Sequence, residues 1–201
     1  PVFSLNHTSS REGLLGSDYS IQHTEFSYRQ RLMAAPVGYF DVMLKAGKIW
    51  GQAPYPLLII PNANLSYTYR KETFETMTPM EFVMDQHLTW DIVYYMNGLI
   101  FNRTPLIRNL KLREVLYCRG TWGSLSDINN PEIDTSGKVF YYPTGRSRAT
   151  GTLMKEPFVE IGAGIENIFN IMSISWFQRM TYKESPDVDR WGLRVAVHLQ
   201  Y

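Results

Sequence analysis

Asp85, His87 and Asp91 place two carboxylates and an imidazole close together in the chain, a set suited to binding a divalent metal or to general-base catalysis. In an extended segment they share one face, but Asp85 and Asp91 then stand about 7 and about 13 Å along the strand from His87, beyond direct hydrogen bonding. That spacing predicts a hydrated wall instead of a reacting cluster. A serine hydrolase needs a serine activated by a histidine that a third group orients. His7, His23, His87 and His198 are available, yet no serine stands in a recognisable nucleophile context. Gly162-Ala163-Gly164 does not complete a dinucleotide fingerprint, and close backbone approach or strand curvature explains it better. Arg146 and Arg148 suit an anionic lipid or polysaccharide group, although a solvated loop accounts for them better. Cys118 is the single cysteine, so neither an internal disulfide nor a multi-thiolate metal site can form. It is expected to be a small buried or lipid-facing residue. No catalytic residue, metal or cofactor is expected.

The elements that carry these residues repeat every second position. In 81–97, Phe82, Met84, Leu88, Trp90, Ile92, Tyr94 and Met96 share one parity, broken only by Gln86, while Asp85, His87, Thr89 and Asp91 take the other. In 39–51, Phe40, Val42, Leu44, Ala46 and Trp50 oppose Tyr39, Asp41, Met43, Lys45 and Gly47. In 189–201, Trp191, Leu193, Val195, Val197, Leu199 and Tyr201 alternate with Gly192, Arg194, Ala196, His198 and Gln200. Such strands separate two solvents. About ten steps of roughly 3.3 Å, tilted by about 40°, make an apolar band near the hydrocarbon thickness of a bilayer, with an aromatic at each interface.

Further extended segments at 2–8, 18–33, 112–122, 157–165 and 171–182 bring the expected count to about eight. They are joined by a tight turn at 34–38, a long proline-bearing connection at 52–79, a segment with a short helix in 97–111, a second long loop at 123–156, a short turn at 166–170 and a link at 183–188. Shorter connections alternating with longer ones are the asymmetry of outer-membrane barrels. The formal net charge of +1, without a run of Lys or Arg, points away from nucleic acid, and no stretch approaches the roughly 20 apolar residues of a membrane helix. The 13 Tyr and 5 Trp suit interface girdles. The chain starts at Pro1 without a signal peptide and already reads as strand, which suggests a fragment or a processed chain.

Asn102-Arg103-Thr104-Pro105-Leu106-Ile107-Arg108-Asn109-Leu110-Lys111-Leu112-Arg113-Glu114-Val115, followed by Trp122-Gly123-Ser124-Leu125-Ser126, resembles the C-terminal barrel of Bacteroidota outer-membrane proteins that carry an N-terminal carboxypeptidase-regulatory-like domain. Pro54-Tyr55-Pro56-Leu57-Leu58, Gly164-Ile165-Glu166-Asn167-Ile168-Phe169 and the closing Trp191-Gly192-Leu193-Arg194 are similar too. That group is distantly similar to surface-antigen barrels of the barrel-assembly type, with about 16 strands. The resemblance implies an all-β, antiparallel transmembrane β-barrel in which 1–201 is a single domain or the C-terminal half of a larger one. The connection 52–79 would then take the place of the long loop that folds into the lumen, although Tyr69-Arg70-Lys71-Glu72 carries no Arg-Gly-aromatic motif.

On this basis Lys45, Asp85, His87, Asp91 and Arg194 are expected to face the lumen. Phe40, Leu44, Leu88, Trp90, Trp176, Val195 and Leu199 are expected to face lipid. Trp191, Gly192, Val197, Leu199 and Tyr201 form the assembly signal. The implied setting is the bacterial outer membrane, with its lipid, the barrel-assembly machinery and other outer-membrane or periplasmic proteins as partners. The implied task is assembly, translocation or transport. A soluble β-sandwich or ligand-binding β-barrel is the alternative, since such domains also end in alternating strands. An outer-membrane lipase-type enzyme is the third possibility.

Overall fold

The structure is a computed structural model, and it describes residues 1–13, 16, 19–134, 139, 150–153, 156–184 and 188–197. Eight strands follow one another as β1 (Val2–Ser10), β2 (Ile21–Met33), β3 (Tyr39–Trp50), β4 (Gln86–Tyr95), β5 (Arg113–Ser124), β6 (Phe158–Ile168), β7 (Met172–Arg179) and β8 (Trp191–Val197). Each pairs antiparallel with the next, so all eight lie in one sheet in chain order. Among the described residues β1 and β8 do not pair with each other, and the sheet is open rather than closed into a barrel. Among the described residues no helix is long and apolar enough to cross a membrane.

The alternation read from the sequence becomes two opposite faces because the register aligns like with like across every strand boundary. One row runs Leu32, Phe40, Tyr94, Leu116, Ala163, Trp176 and Leu193 across seven strands. Another runs Leu5, Phe26, Ala46, Leu88 and Trp122. This outer face is apolar and uncovered, with Leu116 43%, Trp176 40% and Leu193 48% exposed. Cys118 lies on it, between Ile92 and Ile161. Trp90 is half-buried there because it lies flat over Gly120, where a β-carbon would come 2.1 Å from its ring. On the opposite face Gly162 does the same for Phe177, leaving no room for a side chain beneath that ring.

The connections are unequal at the two ends. Residues 51–85 and 125–157 join strands at one end, whereas 34–38 and 169–171 turn tightly at the other. The exception at the tight end is 96–112, which is folded into two short 3-10 turns, Phe101–Arg103 and Arg108–Leu110, where a short helix was expected.

The inner face is covered by residues 51–85, and the core lies between them. Phe74, Met77, Phe82, Met84, Leu153 and Phe158 form one buried cluster, and Ile49, Ala53, Tyr55, Leu58, Val83 and Leu125 another. Burying each large side chain contributes about 1.5–3 kcal/mol. Phe82 and Met84 therefore depart from the expected strand 81–97. The strand begins only at Gln86, and these two residues belong to the returning arm of the connection, where Met84 bridges Ile59. Their even spacing with Leu88 is shared, but their environment is a protein core.

Candidate functional site

Four consecutive strands each offer one charged side chain to the inner face at matching register. Asp91 on β4 lies opposite Arg119 on β5, Arg119 opposite Glu160 on β6, and Glu160 opposite Arg179 on β7. The row alternates in sign, so each charge has opposite neighbours across the sheet. All four side chains are buried, three of them at 1% exposure or less. Burial at this depth requires that every polar group find a partner, and residues 51–85 supply what the strands cannot.

Arg119 donates from Nε to Asp91 at 2.9 Å, from Nη1 to the Thr73 carbonyl at 2.9 Å and from Nη2 to the Tyr69 hydroxyl at 2.6 Å. Its guanidinium also stands 5.1–5.4 Å from the ring centroids of Tyr69, Tyr117 and Phe177, an aromatic cage around the cation. Burial pushes the Tyr69 hydroxyl well above the ordinary phenol range, so it stays a neutral acceptor for Arg119. Glu160 accepts the backbone N–H groups of Glu75 and Thr76 at 3.0 Å and the Thr76 hydroxyl at 2.9 Å. Arg179 donates to both oxygens of Glu81 and, at 3.2 Å, to the Thr76 carbonyl.

Glu75 is the centre of this seat. Its carboxylate, 2% exposed, accepts Arg194 Nε at 2.8 Å, Asn64 Nδ2 at 2.6 Å and Arg119 Nη1 at 3.4 Å. Nearer the connection's tip, Glu72 pairs with Lys45 at 2.8 Å and Arg29 at 2.7 Å. Thr68 forms a parallel bridge to Val195, so the connection also reaches the outer edge of β8. The arrangement fixes a long segment against a charged wall through fork-shaped guanidinium contacts, and the chemistry it performs is retention.

The expected lumen residues divide accordingly. All five sit on or beside the inner face, and Lys45, Asp91 and Arg194 belong to the seat. Asp85 lies at its rim, accepting Asn129 Nδ2 at 2.9 Å and the Ser126 backbone N–H at 3.0 Å, which ties the two long connections together. His87 stands apart beside Gly47. Among the described residues, no group of three or more His, Cys, Asp or Glu side chains is gathered to hold a metal ion. The expected lipid-facing residues share the outer face as far as they are described. Of the terminal signal, Trp191 and Val197 point outward and are exposed, and Gly192 is buried beneath Arg194. Leu199, Tyr201, His198, Arg146 and Arg148 lie outside the described residues.

Sequence reasoning missed Arg119, Glu160, Arg179, Glu75 and Glu81. The first three were visible as inward-parity charges between Tyr117 and Thr121, between Phe158 and Gly162, and after Phe177. Nothing local marks the two glutamates.

Compared with known families, residues 1–123 match the model of a family of unknown function, the DUF5686 C-terminal domain. The chain belongs to this family. The DUF5686 match takes in β1 to β4, nearly all of β5 and the whole of 51–85, and therefore Asp91, Arg119, Glu75 and Glu81. Glu160, Arg179 and Arg194 lie beyond it. No curated protein and no solved structure matches the chain.

Proposed function

We propose that this DUF5686 domain is part of an integral outer-membrane β-barrel that serves assembly, translocation or transport, without enzymatic activity of its own. One observation carries the proposal. The sheet's outer face is apolar along its cross-strand rows and bare, while its inner face is charged and filled by the chain's own connection. A soluble sandwich covers its apolar face with a second sheet. Here the eight described strands lie in one layer, the covered inner face carries both the hydrophobic core and the charged row, and the apolar outer face stays bare.

The dimensions agree. On β3, Phe40 and Trp50 are ten residues apart, about 25 Å when strands are tilted as in membrane barrels, with Val42, Leu44 and Ala46 between them and Lys48 one step inside Trp50. The unequal connections fit the same architecture, and on this reading the inward segment between the third and fourth strands would take the place of the lumen loop of surface-antigen-like barrels. The unpaired edge of β1 is consistent with the C-terminal half of a barrel of about 16 strands, whereas the edge of β8 is met at Val195 by Thr68 of the connection. Its partners are then outer-membrane lipid, the assembly machinery and other outer-membrane or periplasmic proteins.

Arginine substitution on the outer face tests the proposal. Leu44→Arg and Val195→Arg should each cost about 2–4 kcal/mol near the bilayer midplane and deplete the protein from the outer membrane. At exposed positions of a soluble protein they should stay within about 0.5 kcal/mol. Tyr201→Asp should impair assembly more than folded stability. Unchanged membrane levels for all three variants refute the membrane assignment.

A further inference from the structure

The outer face changes character near the end that carries the long connections. Beyond the row Leu5, Phe26, Ala46, Leu88 and Trp122, the next row is polar: His7, Thr24, Lys48, Gln86 and Ser124. At this boundary lies a groove of about 500 Å3. It exists because Ala46 is the small member of its row, which leaves a trough between Phe26 and Leu88, with Trp122 lining it in the same row and Trp50 nearer that end. Lys48 stands at the head of the trough, its ammonium 4.7 Å from the centroid of the Trp50 ring. Among the described residues it meets no carboxylate. Beside it the Thr24 hydroxyl is held by Trp50 Nε1 at 3.1 Å and His7 Nδ1 at 2.9 Å, while Gln86 donates to the Ser124 hydroxyl at 2.6 Å, which leaves the Gln86 carbonyl and the Ser124 O–H to meet a ligand.

An apolar trough leading to a cation and neutral hydrogen-bonding groups has the polarity of a lipid and the charge complement of its phosphate. A lysine over an indole at the edge of an apolar band is also the arrangement that carries a charged head to the interface. The end of the sheet decides which lipid. In outer-membrane barrels the longer connections face outward, which places the groove in the outer leaflet. We propose that it binds one phosphorylated glycolipid, with Lys48 on a phosphate, Gln86 and Ser124 on sugar hydroxyls, and an acyl chain along Ala46. This inference rests on the membrane assignment above.

The test is native mass spectrometry of the full chain in detergent micelles doped with bisphosphoryl lipid A, with phosphatidylglycerol in parallel. One molecule of lipid A should be retained per chain. Lys48→Ala should weaken retention about fivefold, the factor one lysine supplies near an anionic surface. Lys48→Arg should keep it, and Ala46→Phe, which fills the trough, should abolish it. Insertion into vesicles is measured on the same preparations. If every variant inserts and retains lipid A like the parent, the site is wrong while the membrane assignment stands. Equal retention of phosphatidylglycerol overturns the choice of glycolipid. A parent that stays soluble without detergent and does not insert removes both.

Discussion

Arg119 is the residue on which the inner face turns, because one guanidinium touches β4, the connection and three aromatic rings at once. Replacing it by alanine leaves Asp91, Glu75 and Glu160 buried with less compensation, and breaking a buried pair in this way costs about 3–5 kcal/mol. Arg119→Lys should recover only part of that, since a single ammonium cannot serve Asp91, the Thr73 carbonyl and the Tyr69 hydroxyl together. Denaturant unfolding in micelles reads both values, and a midpoint unmoved by Arg119→Ala would show that the charge row is incidental. Little of this was legible in the sequence. Asp91 and Arg194 stood out as charges opposite an apolar face, but their partners come from β5 and from residues 72–76, and pairing across such distances depends on register and loop path, which no local pattern encodes.

At the scale of elements, the connection 51–85 behaves as a folded insert rather than a surface loop. Tyr55, Leu58, Phe74, Met77 and Phe82 are buried, and Glu75 pins its middle to three strands through Arg119, Glu160 and Arg194. Its length and prolines marked it as a long connection. Its return arm was misassigned because Phe82 and Met84 continue the parity of β4, and alternation cannot distinguish an outer strand face from a buried arm of the same spacing. Protease added to intact cells should therefore cut within 125–157 and leave 51–85 whole, and Glu75→Ala should make the second segment sensitive. Cutting of 125–157 only after permeabilisation reverses the orientation. Equal cutting of both segments in the parent shows that the insert is not seated.

At the scale of the whole molecule, the two-faced sheet was the most legible feature, because a period of two sustained over strands of 10–13 residues assigns a face to every side chain once one face is known. Closure was not legible, since it depends on which strands meet the edges of β1 and β8. The central claim is that the outer face contacts lipid and the inner face does not. Nitroxide labels placed singly at Leu88, Leu116, Trp176 and Leu193 on the outer face, and at Ser27, Arg29 and Thr89 on the inner, measure this in reconstituted bilayers through collision with dissolved oxygen or with a water-soluble nickel chelate. Outer sites should favour oxygen and inner sites the chelate or neither, alternating along each strand. Equal access of the chelate to outer and inner sites contradicts the membrane assignment.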